Sequence, residues 1–200
     1  MLSVVIQAGG QSRRMGQDKA LLTFMGEPLI RRVVDRLRLL ADEILVTTNR
    51  PDDYRFLGVP LFADRVPGRG ALGGLYTALD AASHPLVAVV ACDMPFVNTT
   101  LLTAERAILQ TTASDAVIPN TGRGLEPFHA VYRKAACLPA VRTALDQNHW
   151  RVDAWFSEVK LYILSPEMTR QYDPDLHSFF NLNTQQDVEQ AERIAASMGE

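Results

Sequence analysis

The stretch LSVVIQAGGQSRRMGQDK (2–19) passes from an apolar, β-branched segment directly into two glycines, two arginines, a third glycine and a lysine. A short apolar run bounded by turn signals reads as a buried strand, so 2–6 is expected to be a strand covered on both faces. Glycines behind it let the backbone approach a bound group closely, and successive exposed N–H groups form an anion-binding concavity. Arg13, Arg14 and Lys19 add the positive charge that a polyphosphate needs. A tight turn with merely exposed basic residues is the alternative reading of the glycines alone. Spacing excludes two familiar phosphate loops. A P-loop places lysine directly after the second glycine of GxxxxGK[ST], whereas Gln17 and Asp18 separate Gly16 from Lys19, and GGQSRR does not supply GxGxxG.

Outward from this loop, strands alternate with helices. Segments 43–48, 59–63, 85–97, 115–119, 129–133 and 159–164 read as strands, and 28–41, 71–82, 99–110, 135–147 and 183–198 as helices by apolar spacing. Pro28 suits a first helical turn, and threonines cap the helix over 99–110. The glycine-rich segment 64–74 reads as a mobile loop at the rim of the sheet. Alternation of this kind predicts an α/β fold with a mostly parallel sheet, whose ligands bind beyond the carboxyl ends of the strands.

A length of 200 residues, 47% hydrophobic and 22% charged, suits one domain with a substantial core. A net charge of −3 argues against a dedicated nucleic-acid binder. Arg31, Arg32, Arg36 and Arg38 read as a solvated helix face. The two cysteines, Cys92 and Cys137, have no metal or disulfide spacing and read as small buried residues, which together with the absence of any visible leader or span suggests a reduced, cytoplasmic setting.

Polar residues at strand ends are the remaining signals. Asp93 closes the most apolar run, where the core cannot solvate a carboxylate; it reads as a Mg²⁺ ligand or as a cap for the following turn. Asp64 ends a short strand and reads as a turn-starting aspartate. Asn181 and Asn183 alternate in NLNT, so both point to one face if that segment is extended, although Asn183 or Thr184 also suits a helix cap. His129 reads as structural, and the aromatic residues of HW (149–150) and DAWF (153–156) read as core packing, with aromatic surface near the ligand site as the alternative.

The pattern QAGGQSRRMGQDK, continued by TNR (48–50), AD (63–64), GALGGL (70–75), CDMPF (92–96), EPFHAVYR (126–133) and FFNLNT (179–184), resembles the molybdenum cofactor guanylyltransferase family, a group of Rossmann-like nucleotidyltransferases. The resemblance implies a three-layer fold with helices on both faces of the sheet, in a single domain over 1–200 whose half at about 1–100 binds nucleotide and whose half at about 101–200 binds acceptor. It implies transfer of GMP from GTP to molybdenum-bearing molybdopterin with release of pyrophosphate. Arg13, Lys19 and Asp93 would be catalytic, with Mg²⁺ on Asp93. Gln7, Ala8, Gly9, Gly10, Lys19, Asp64 and Asp93 would contact nucleotide, together with Thr47 or Asn49. Asn181 and Asn183 would bind the pterin. Transient contact with proteins that insert or receive the cofactor is also implied, with no nucleic acid and no membrane.

Two positions depart from the family pattern. Gln7 stands where leucine is usual, and Thr47 stands where an asparagine is often found, with Asn49 retained in TNR. The neighbouring readings are a cytidylyltransferase for the same pterin, a sugar-phosphate nucleotidyltransferase and a non-catalytic nucleotide-binding adaptor.

Overall fold

Side chains of the first strand feed two separate cores. In the computed structural model, which describes residues 1–9 and 18–199, Leu2, Val4 and Ile6 enter one buried cluster and Val5 enters another. Successive strand residues point to opposite faces, so a strand apolar at every position must be covered twice.

The elements are β1 (Leu2–Gln7), β2 (Thr23–Phe24), β3 (Glu27–Pro28), α1 (Leu29–Leu37), β4 (Glu43–Thr47), β5 (Leu61–Phe62), α2 (Gly70–Ala81), β6 (Leu86–Ala91), α3 (Thr99–Thr111), β7 (Ala116–Pro119), β8 (His129–Arg133), α4 (Lys134–Asp146), β9 (Leu161–Leu164), α5 (Pro166–Tyr172) and α6 (Gln185–Met198), with short 3₁₀ turns including Lys19–Leu21 and Pro51–Leu57. A seven-stranded sheet has the order β5-β4-β1-β6-β8-β7-β9. The strands run parallel except β8, which is antiparallel to both neighbours. Residues of α1 and α3 cover one face and residues of α2 and α4 the other. This is the three-layer, mostly parallel α/β architecture expected from the alternating pattern.

Register decides what the sheet can present. Gln7 pairs with Thr47 on one side and Ala91 on the other, and Thr47 pairs with Phe62. Four strands therefore finish level at one edge. Because β8 runs the other way, its first residue, His129, lies beside Val90 at that same edge.

Several boundaries differ from the sequence reading. Segment 64–74 is not wholly loop, since α2 starts at Gly70 and contains Gly73 and Gly74. Asn98, not a threonine, caps α3 through the Leu101 N–H at 3.0 Å. Helix α1 stops at Leu37, and Pro28 is its cap residue rather than part of its first turn. Its five buried apolar residues each contribute roughly 1.5–3 kcal/mol of transfer free energy before chain entropy is subtracted. The arginines of this helix are more than a solvated face: Arg31 lies over the Phe56 ring and Arg32 over the Phe24 ring, at 5.3 and 5.2 Å from the centroids. Two elements have no counterpart in the sequence reading, the β2–β3 hairpin and α5. Among the described residues no helix is long and apolar enough to cross a membrane.

Candidate nucleotide-binding site

The level strand ends form the floor of a cavity of about 550 Å³. Gln7, Ala8, Gly9, Lys19, Thr47, Asn49, Asp64 and Asp93 all line it, so most sequence-selected nucleotide residues converge on one space. Gly10 and Arg13 lie outside the described residues.

The floor is held by backbone bonds between strand ends. The Ala8 N–H donates to the Thr47 carbonyl at 2.8 Å, and the Cys92 N–H donates to the Gln7 carbonyl at 3.1 Å. Thr47 itself is 1% exposed, whereas Asn49 is exposed and forms a reciprocal pair with Asp64. Asn49 Nδ2 donates to Asp64 Oδ2 at 2.7 Å, and the Asp64 N–H donates to Asn49 Oδ1 at 3.0 Å. This pair fixes both side chains at the rim beside Gly9, where a Cβ would come 3.6 Å from Asp64 Oδ1.

Gln7 reaches under α2. A Cβ at Gly74 would stand 2.9 Å from Gln7 Oε1, so a side chain there would require the Gln7 amide to shift. The Gln7 Nε2 is buried without a hydrogen-bond partner among the described residues, a condition that usually costs about 1–3 kcal/mol.

On the opposite wall, Asp18 organises the approach of Lys19. Its Oδ1 accepts from the Ala20 N–H at 3.1 Å and so caps the 3₁₀ turn carrying Lys19. Its Oδ2 accepts from the Tyr54 hydroxyl at 2.5 Å and from Arg50. Burial, followed by the adjacent Asp18 charge, pushes the Tyr54 phenol far up, so it remains a donor. Sequence reasoning passed over Asp18 because its work is entirely tertiary.

Lys19 Nζ donates to Asn183 Oδ1, which joins the glycine-loop motif to NLNT across the chain. The Leu182 N–H donates to the Asp93 carbonyl at 2.9 Å, tying NLNT to CDMP as well. Leu182 is fully buried while Asn181 and Asn183 are exposed, the alternation expected of an extended segment. Thr184, not Asn183, caps α6, in a capping box with Asp187; the Asp187 carboxylate also accepts from the Asn183 N–H at 2.8 Å. The capping box therefore sets the direction of Asn183.

Asp93 lines the cavity just beyond the end of β6. Burial raises its pKa, and Lys19 only partly offsets this. A divalent ion would remove that cost. Among the described residues no group of three or more His, Cys, Asp or Glu side chains could hold a metal by itself. A lone buried carboxylate such as Asp93 would suit Mg²⁺, which is commonly held by one or two carboxylates with substrate phosphates and water. Burial also pushes the adjacent Cys92 thiol well above its usual value, which disfavours a thiolate there.

His129 does not line the cavity. It is fully buried, with Nδ1 3.4 Å from Glu105 Oε1, an electrostatic contact rather than a well-formed hydrogen bond. The Phe179 ring packs 5.2 Å from it. Its structural reading stands, and its neighbour Phe128 is the residue of β8's entry that reaches the cavity. The aromatic cluster expected in the core divides: Trp155 is buried, but Trp150 is 60% exposed and lines the cavity. Aromatic surface, the alternative reading of HW, holds for Trp150, whereas Phe128 carries no local sequence signal; both line the cavity.

Comparison with known proteins agrees with this geometry. The pattern of the MobA-like NTP transferase domain matches residues 4–159. A probable molybdenum cofactor guanylyltransferase from Chloroflexus aggregans is 37% identical over 195 residues, covering 94% of this chain and 92% of the relative. One from Peptoclostridium acidaminophilum is 32% identical over 96% of this chain and 89% of its own. The solved molybdopterin-guanine dinucleotide biosynthesis protein A from Archaeoglobus fulgidus superimposes with a TM-score of 0.84 at 26% identity, covering 98% of this chain and all of that one. A family pattern over most of its length and full-length relatives at up to 37% identity show that the chain belongs to the MobA-like NTP transferase family.

Proposed function

We propose that this protein transfers GMP from GTP to molybdenum-bearing molybdopterin, forming the guanine dinucleotide cofactor and releasing pyrophosphate. The observation that carries the reading is the Lys19–Asn183 bond, which brings the nucleotide loop and NLNT together next to Asp93. A site that joins two substrates needs such a meeting point.

In this reading a terminal phosphate oxygen of the pterin attacks the α-phosphorus of GTP, and the bond to the pyrophosphate oxygen breaks. The attacking group is already ionised at neutral pH, so no side chain has to remove a proton. What remains for the protein is in-line placement and charge compensation. Ala8 and Gly9 present backbone to the nucleotide, and the Asn49–Asp64 pair and Thr47 face its nucleoside. Lys19 exchanges its Asn183 contact for phosphate oxygens as charge builds on the leaving group. Asp93 would hold Mg²⁺, which when bound neutralises phosphate charge. Asn181 and Asn183 face the acceptor. Arg13 joins Lys19 as a second cation, and Gly10 as a third backbone contact. Nucleotide contacts thus fall in the half at about 1–100 and acceptor contacts in the half at about 101–200 of one domain. The reaction belongs in the cytoplasm, where GTP is available and the two free thiols persist, and the product passes to the proteins that insert or use it.

The test is pyrophosphate release with molybdenum-loaded molybdopterin, Mg²⁺ and GTP, CTP or ATP in turn. GTP is expected to be turned over at least tenfold better than the others. Preference for CTP would replace this reading with cytidylyl transfer, and nucleotide binding without turnover would indicate an adaptor. Lys19→Ala is expected to lose at least about a hundredfold in kcat/KM, in the range of a lost transition-state electrostatic contact. Turnover by it near the wild-type rate would remove Lys19 from the mechanism.

A further inference from the structure

Trp150 is a large aromatic residue left open at the cavity, and its position is built from several constraints. Helix α4 ends in a Schellman arrangement. Asn148 takes a left-handed φ of 62°, its N–H donates to the Leu145 carbonyl, and the His149 N–H donates to the Ala144 carbonyl, both at 3.0 Å. Trp150 follows immediately. Asn148 Oδ1 then accepts from Arg69 Nη2 at 2.7 Å, and the Arg69 guanidinium lies 5.0 Å from the Trp150 ring centroid.

Arg69 is itself closely determined. It lies between Gly68 and Gly70, at φ of 80° and 56°, and a Cβ on Gly73 would come within 2.8 Å of its own Cβ. A hydrogen bond and a cation–π contact thus link two distant segments beside one indole that lines the cavity. The other tryptophan, Trp155, is fully buried against Tyr132 and Phe156, so core packing cannot account for Trp150.

We propose that Trp150, braced by Arg69, is a stacking platform for a planar heteroaromatic ring of a ligand bound in this cavity. The proposal rests on the substrates named above, because guanine and pterin share a fused 2-amino-4-oxopyrimidine ring and either can lie on an indole. Arg69 holds one part of the ring by cation–π attraction and leaves the rest open. Stacking of a base on an aromatic side chain is sequence-tolerant and is lost when the ring is truncated.

The experiment titrates the full chain with GTP, CTP or ATP and Mg²⁺ in one arm and with 6-hydroxymethylpterin in the other, following tryptophan emission and, separately, heat of binding. Emission of the wild type is expected to be quenched on binding, and that of Trp150→Phe, which retains only Trp155, to be unchanged. Trp150→Ala is expected to weaken the stacked ligand at least about fivefold, while Trp150→Phe stays within about twofold of wild type. A response confined to GTP assigns the platform to the nucleobase, and one confined to the pterin assigns it to the acceptor. Binding without quenching, at equal affinity in Trp150→Ala, overturns the proposal. Trp150-dependent quenching by CTP or ATP with no binding of GTP would keep the platform and overturn the guanylyl reading. Failure of the wild type to bind any of these ligands would overturn both.

Discussion

Gln7 brings a buried side-chain amide to the edge of the cavity. Its buried Nε2 has no hydrogen-bond partner among the described residues, and Gly74 leaves room beside the Gln7 amide. Gln7→Leu is expected to raise stability by about 1 kcal/mol, measured by urea unfolding, and to weaken nucleotide binding severalfold by calorimetry. Gain in both would show that the amide has no ligand. Asp93→Asn is expected to lose at least about a hundredfold in turnover and to flatten the dependence on Mg²⁺ concentration. A normal Mg²⁺ curve in that variant would place the ion elsewhere. At this scale the sequence was informative about placement wherever a polar residue follows a strand end, since Asp93 and Asp64 both line the cavity. It was silent for Asp18, whose partners Tyr54 and Arg50 are far along the chain, and Thr47 and Asn49 were separable only once burial was known.

Among elements, the N-terminus of α6 has the most direct link to the site. The Asp187 carboxylate accepts from both the Asn183 and Thr184 N–H groups, at 2.8 Å each, so the cap that starts the helix also orients the asparagine bonded to Lys19. Asp187→Ala is expected to cost about 1 kcal/mol in stability and to raise KM for the pterin more than KM for GTP. Equal changes in both KM values would mean that Asn183 does not serve the acceptor. Apolar periodicity located the strands and most helices well because both sheet faces are covered. Periodicity failed at α5, which is short, and at the start of α2, where Gly73 is helical and meets Arg69 Cβ and the Val66 carbonyl too closely for a side chain.

Across the whole molecule, a buried carboxylate links helix to sheet. Glu105 of α3 and His129 of β8 are both fully enclosed, and burial, eased by His129, raises the Glu105 pKa to about 7. A carboxyl with a raised folded pKa holds its proton longer in the native state than in the unfolded chain. Its stabilising contribution is therefore complete below its ordinary value near 4.5 and is lost as pH rises through about 7. Glu105→Gln is expected to flatten unfolding free energy between about pH 5 and 8 by on the order of 1–3 kcal/mol, and an unchanged slope would assign the pH dependence to other groups. The overall architecture was legible because alternating strands and helices admit few arrangements. The reversal of β8 was not, yet it brings Phe128 to the cavity. The central claim is that one cavity carries GMP from GTP to a pterin phosphate, and it is tested most directly by label transfer with GTP marked on either the α- or the γ-phosphate. The expected result is α-label in the pterin product and γ-label in pyrophosphate. Retention of the α-label in free nucleotide, with no labelled pterin, would contradict it.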